Sequence, residues 1–513
     1  MRQKGLFVLI ILMLTVALYG CKGDKNGNEN QTTPAADSDT GSPTYGGSVI
    51  VGILQDLDSL DPHKAVAAGT KEVLFNVFEG LVKPDEEGNL IPAIAEDYKI
   101  SPDGKLYTFT LRPNVKFHNG ENVTVDDVIY SINRYMKINE STEPVLSNIV
   151  EVSKEDDKTI KIQLEDSDTE LIGYLTMSII PKDYEEGEKP PAGTGPFKFD
   201  SYTPMENYKV VKNNDYYIEG EPYLDQVTFK VITNTDSVII DLLSGSIDIL
   251  AYLTSNQADQ LQNDFRIEEG HMNLIQALFL NNKAKPFDNI KVRQALYYGI
   301  DRQAILDMVA GGKGDIIGSS MFTGFAKYYN EDLEDLYDNN IAKAKELLAE
   351  AGYPNGFSFT ITVPSNYPFH VDTAQVIVEQ LKEIGVDASI QQVEWASWLS
   401  QVYSERDYEG TIIGLDSQLA PKNVLERYHS EAGNNFINYN NPQFDEVFDK
   451  GIRTTDDLEK VDYYNKMQEI LALDAASIYI QDPALLVAVN PKLGGYTCYP
   501  VYVQDMSKVY YME

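Results

Sequence analysis

The side chains best equipped for chemistry are five histidines, two cysteines and many carboxylates, and their spacing withholds most of the reactions they could run. His63, His118, His271, His370 and His429 stand far apart, and no HExxH sets two of them on one helix face. Cys21 and Cys498, at opposite ends of the chain, cannot assemble a four-ligand zinc site. No GxSxG elbow presents a serine nucleophile, and no GxxxxGK[ST] loop cradles a phosphate. Gly312-x-Gly314-x-x-x-Gly318 has the wrong spacing for a dinucleotide fingerprint and reads as a loop. Asp and Glu total 79, so Asp126-Asp127 and Glu86-Glu87 follow from density alone. Bond-breaking chemistry therefore has no positive support. No metal and no cofactor is expected, and each isolated histidine reads as a packed or surface residue.

Against those acids stand 42 Lys and Arg, for a formal net charge of −37. A chain that must neutralise phosphates needs the opposite balance, so nucleic acid is excluded as a partner. The acids read chiefly as a soluble secreted surface that tolerates neutral or cationic ligands. The 513 residues fit roughly three domains at ~150 residues each. Cores of that size need no disulfide staples.

The elements begin with an address. Arg2 and Lys4 precede an apolar run from Leu6 to Leu18, interrupted only by Thr15. The run is shorter than the ~20 residues a membrane span needs, and has the length of a signal-peptide core. Leu18-Tyr19-Gly20-Cys21 resembles a bacterial lipobox, which implies a lipid on the Cys21 thiol after removal of residues 1–20. Residues 21–44 hold few large hydrophobes and read as a flexible tether.

Beyond residue 45 strands and helices alternate. Gly47–Ile53 and Tyr107–Leu111 read as strands, and Val73, Leu74, Val77 and Phe78 fall at helical spacing before Gly80. Thr124-x-x-Asp127 forms a capping box. Lys291–Val309 is helical with a break near Gly299, and Asn340 caps a helix that Gly352 and Pro354 end. Ser358–Val363, a helix over Thr373–Ile384, and Ala388–Val393 follow as strand, helix and strand. This order predicts an α/β fold with partly parallel sheets.

Several segments in one register resemble the solute-binding proteins of oligopeptide, dipeptide and nickel-type ABC importers, family 5. They include Asp58-Ser59-Leu60-Asp61-Pro62-His63 and Asn76-Val77-Phe78-Glu79-Gly80-Leu81. The long block from Pro92 to Ser131 carries Ser101-Pro102-Asp103-Gly104-Lys105 and Val115-Lys116-Phe117-His118-Asn119-Gly120. Gly193-Thr194-Gly195-Pro196-Phe197, Val292-Arg293-Gln294-Ala295 and Ala351-Gly352-Tyr353 continue the series. The resemblance implies a type II periplasmic-binding-protein-like fold with two lobes closing at a hinge and an extra smaller domain. Lobe I would take 45–80, 192–275 and 487–513, the extra domain 81–191 would pack on it, and lobe II would take 276–486. It also implies a monomer, lipid-anchored outside the cytoplasm, that passes a short peptide to membrane permease subunits without enzymatic activity.

The resemblance also names candidates. Ala68, Gly69 and Thr70 match a first-lobe loop flanking the ligand, where small side chains let a backbone approach. Trp395 matches an aromatic lining the site, and Trp398, three residues on, would share its helix face or fill the core. Gly414, Leu415, Asp416 and Ser417 match the second-lobe strand that pairs with a peptide. Leu415 stands where peptide binders carry Trp, and the segment is one residue short before Pro421. Asp416 is displaced by one position as partner for a ligand ammonium, which in a strand reverses its face. Gln481 and Asp482 are weaker candidates near the hinge. Rival expectations are a non-peptide solute (an oligosaccharide, an opine-like compound or a metallophore), a hydrolase, and a sensory lipoprotein. His429 is the only histidine near the second-lobe segment, which disfavours bare metal binding.

Overall fold

The structure, a computed structural model, describes residues 42–140, 144–184, 190–234, 237–416 and 420–513. The expected signal peptide, Cys21, nearly all of the tether and Ser417 lie outside these residues.

One mixed sheet runs through much of the described chain. Its strands lie in the order Asp387–Val393, Ser358–Pro364, Gly410–Asp416, Leu274–Leu280, Ile478–Val489, Ile249–Leu250, Ser48–Ile53, Gln226–Val231, Asn207–Lys212 and Phe197–Thr203. Ile478–Val489 is nearly continuous in apolar residues and buried along most of its length, as a strand covered on both faces requires. Its first half pairs with Leu274–Leu280, with Gln481 opposite Gln276. Its second half pairs with Arg266–His271, with Ala484 opposite His271. Between these stretches sits Pro483, which has no N–H to give. Gly314 faces it at φ +120°, and a Cβ there would lie 2.5 Å from the Asp482 carbonyl oxygen.

The apolar interior divides accordingly. One core gathers buried residues from Ile275 to Ile480, among them Phe279, Leu296, Ile377, Ile412 and Tyr479. A second joins Val49, Val51 and Phe78 to Phe197, Phe229, Val487 and Met506. A third, from Leu81 to Ile179, fills the four-stranded antiparallel sheet Ala95–Ile100, Leu106–Leu111, Thr159–Leu164, Ile149–Lys154 and the helix Val125–Ile138. A smaller fourth core includes Leu242, Leu261 and Ala488.

A charged seam links the third core's surroundings to the first. Lys422 pairs with Asp168, and Lys460 with Glu170, all four side chains being buried. The Thr169 N–H donates to the Ile452 carbonyl at 2.9 Å, and the Tyr174 hydroxyl to Asn423 Oδ1 at 3.0 Å.

Local expectations mostly hold. The Thr124 N–H donates to Asp127 Oδ2 at 2.9 Å, completing the capping box. Asn340 caps Ile341–Glu350, which buries Ala344, Leu347 and Leu348. The long helix breaks into Ile290–Tyr298 and Arg302–Val309, because Asp301 recaps the second piece through the Ala304 N–H at 2.9 Å. Two expectations need correction. The helix placed at Thr373 starts five residues earlier, at Pro368, whose fixed φ suits a first turn. The loop at Ala68–Thr70 is the first turn of a helix, Ala68–Leu74, and not an open connection. Asp58 stabilises the entry to it by accepting the Val66 and Ala67 N–H groups at 2.9 and 3.1 Å. No helix among the described residues is long and apolar enough to cross a membrane.

Candidate functional site

On the side of the second core, Thr70 is buried and its Oγ accepts the Asp58 N–H at 3.1 Å. Burial pushes the Asp58 carboxyl up, but hydrogen bonds from Thr70, Val66 and Ala67 outweigh it and hold the group below its ordinary range. Thr70 thus orders the turn. Ala68 and Gly69 are half-buried, and a Cβ added to Gly69 would meet open space.

One turn later Glu72 is buried. It accepts the Tyr252 hydroxyl and, at 3.1 Å, the Gln504 side-chain N–H. Burial pushes its carboxyl up to about 7, against the lowering effect of those two donors. Asn76 fixes the segment that carries Gln504 by donating to the Gln504 carbonyl at 2.8 Å and accepting the Met506 N–H at 2.9 Å. On that same segment, Tyr502 donates to Asp416 Oδ2 at 3.1 Å. Burial raises the Tyr502 phenol, and the negative fields of Asp416, Glu72 and Asp482 add to the effect. Tyr502 therefore links the first-lobe and second-lobe candidates.

The two tryptophans differ in role. Trp398 is 2% exposed and its indole N–H donates to Thr411 Oγ at 2.9 Å, so it belongs to the core. Trp395, 36% exposed, stacks on it at 5.1 Å and 4°. Tyr367 meets the Trp395 ring edge-on at 5.4 Å. The result is an open aromatic surface on a rigid support.

Gly410–Asp416 pairs along its whole length with Leu274–Leu280. On its other edge it pairs with Ser358–Pro364 only at Gly410 and Thr411. Beyond Thr411 that edge has no strand partner among the described residues. Leu415 points into the first core and Asp416 is exposed, as alternation demands. A Cβ at Gly414 would lie 2.5 Å from Leu274 Cδ1, so this position admits only glycine without repacking.

Gln481 is fully buried, and its amide lies 2.7 Å from that of Gln276. The Gln276 amide in turn lies 2.9 Å from His370 Nδ1 and 3.2 Å from Thr373 Oγ. The Gly414 N–H donates to His370 Nε2 at 3.1 Å. Next to Gln481, Asp482 accepts the Leu274 N–H at 3.0 Å. Burial pushes its carboxyl up to about 7, with the Leu274 hydrogen bond and His271 opposing and Asp315 reinforcing.

Sequence reasoning missed Glu72, Tyr252, Gln504, Tyr502, Gln276 and the placement of His370. In sequence Glu72 is one acid among 79, and only folding reveals its burial. Among the described residues no three His, Cys, Asp or Glu side chains are grouped to hold a metal ion. Cys498 is a half-buried free thiol that burial pushes up to about 12, with Glu268 adding to the shift, so it is a poor nucleophile.

Residues 89–436 match the family model for bacterial extracellular solute-binding proteins, family 5. The oligopeptide-binding protein AppA of Bacillus subtilis is 28% identical over 537 aligned positions, covering 97% of each chain. Heme-binding protein A of Haemophilus influenzae is 30% identical over 452 positions, 80% of this chain and 82% of that one. The crystal structure of the ABC transporter substrate-binding protein CtaP of Listeria monocytogenes superposes with a TM-score of 0.82 at 28% identity, over 92% of this chain and all of that one.

Proposed function

Because the chain belongs to the bacterial extracellular solute-binding proteins of family 5, we propose that it captures a short peptide and delivers it to an ABC permease. The observation that carries this reading is the strand edge beyond Thr411, unpaired and flanked by the Trp395 surface and Asp416. An extended peptide supplies main-chain donors and acceptors for such an edge whatever its sequence. Asp416, held by Tyr502, is the partner for a ligand ammonium, and Ala68 and Gly69 let the opposite wall approach a ligand backbone.

We read the second core as lobe I, the third as the extra domain and the first as lobe II, with closure about Ile478–Val489. Cys21 is our proposed lipidation site, holding a monomeric receptor to the outer face of the cell membrane. It acts without catalysis, a reading supported by a family composed of transport receptors. A thermal-shift series with di- to hexapeptides tests the assignment. At about 100 times its Kd a peptide ligand adds about 2.7 kcal/mol to folding stability. Silence from every peptide, with a response to another solute class, overturns it. The Haemophilus relative's name makes heme the first such solute to try.

A further inference from the structure

The unpaired edge of Gly410–Asp416 is partly occupied by the protein itself. In a strand the N–H and C=O of one residue point to the same side, and that side alternates. The Gly414 N–H therefore faces the unpaired edge together with that of Asp416, beyond the last pairing with Ser358–Pro364. His370 takes the Gly414 donor at 3.1 Å. The imidazole is buried, and burial holds its pKa down to about 4, so it is neutral.

A neutral imidazole accepts at one nitrogen and donates at the other. Since Gly414 claims Nε2, Nδ1 carries the proton and needs an acceptor across the 2.9 Å contact to the Gln276 side-chain amide, which supplies one when that amide is turned to present its oxygen rather than its nitrogen to His370. The two ends of an amide are told apart by this accounting. So turned, Gln276 directs its nitrogen to the Thr373 hydroxyl at 3.2 Å and to the Gln481 amide at 2.7 Å, which accepts once it is turned likewise. Thr373 is free to accept because its own proton goes to the Phe369 carbonyl at 2.9 Å. The chain Gln481, Gln276, His370 thus fixes a lone pair, not a proton, against Gly414.

We propose that His370 is a positioning residue that withholds the Gly414 N–H from the ligand, so that a bound peptide's main chain cannot pair with this strand at Gly414. This rests on the peptide-receptor reading above. The imidazole stands where a peptide carbonyl would otherwise sit, and it sets the inner limit of the ladder and hence the ligand's register and length.

The test uses the whole protein and an alanine series of two to six residues. Imidazole nitrogen NMR between pH 6 and 8 is expected to show the Nδ1–H tautomer at His370, unchanged by saturating peptide. His370→Gln retains an acceptor for the Gly414 N–H and is expected to bind the series within about twofold of the parent. His370→Ala exposes the donor, and the longest peptides are expected to bind about fivefold tighter, the worth of roughly one net hydrogen bond. The dipeptide's affinity should not move. An Nε2–H tautomer, a His370 signal that changes with peptide, or an unaltered length profile in a folded His370→Ala protein overturns the proposal. Failure of every peptide to bind the parent protein instead sinks the receptor reading, and the tautomer measurement still decides whether His370 caps the strand.

Discussion

Two regions of the molecule bury polar groups by opposite means. The seam formed by Lys422, Asp168, Lys460 and Glu170 uses full charges. The chain through Gln481, Gln276 and His370 uses neutral dipoles. Charges taken from water lose solvation that only a close opposite charge returns, so either partner alone is a liability. Dipoles lose less, but every donor must find an acceptor, so the neutral chain fixes direction where the seam fixes only proximity. That difference suits their places. The seam joins two separately packed cores, whereas the neutral chain orients one backbone donor beside the candidate ligand edge.

The comparison can be broken most forcibly at the seam. Lys460→Met leaves Glu170 buried without its cation, and urea denaturation should show a loss of about 3–5 kcal/mol. Replacing both members of the other pair, Lys422→Met with Asp168→Leu, should recover most of the loss seen for Lys422→Met alone.

A pH measurement sharpens the contrast through a third buried group. The Glu72 carboxyl ionises at about 7 in the fold against 4.5 for the free group. Between those values the fold holds a proton that the unfolded chain has released, so stability falls as pH rises from about 4.5 to 7 and is level above. The contribution is about 3 kcal/mol, and Glu72→Gln should remove it, so that the melting temperature falls less steeply between pH 5 and 7 than in the parent and keeps the slope that the raised Asp482 carboxyl contributes.

In the neutral chain, Gln276→Leu strands His370 Nδ1 and the Gln481 amide. It should cost about 2 kcal/mol, equally at pH 6 and pH 9, since no member titrates in that window. A loss that varies with pH would show a charge where the donor accounting places none. The smallest stability effect belongs to Trp395→Ala, within about 0.5 kcal/mol by denaturation because the ring is partly solvated. Peptide affinity should nonetheless fall roughly tenfold if that ring stacks on ligand.

The parts of the fold legible in sequence are those written in neighbouring residues. Thr124 and Asp127 announce a helix start three residues apart, and Leu106–Leu111 announces its buried face by simple alternation. Asn340 and Gly352 bracket a helix in the same local way. The candidate site is written at long range. Gln276 meets Gln481 across 205 positions and His370 across 94, and no local pattern marks any of the three. His370 reads in sequence as one more isolated histidine, and its meaning comes from the Gly414 N–H it faces. Trp395 and Trp398 were recognisable as a pair on one face, but which is support and which is surface depends on Thr411, thirteen residues away.

The strand Ile478–Val489 carries a final implication. Along one edge it changes partner at Asp482–Pro483, where the Asp482 side chain takes the Leu274 N–H, while Gly314–Ile316 pairs with Gln481–Pro483. A ribbon that changes partners at one dipeptide concentrates torsion at that point. Amide exchange should therefore be fastest in the few residues facing that dipeptide, and the cores to either side should swing as intact blocks.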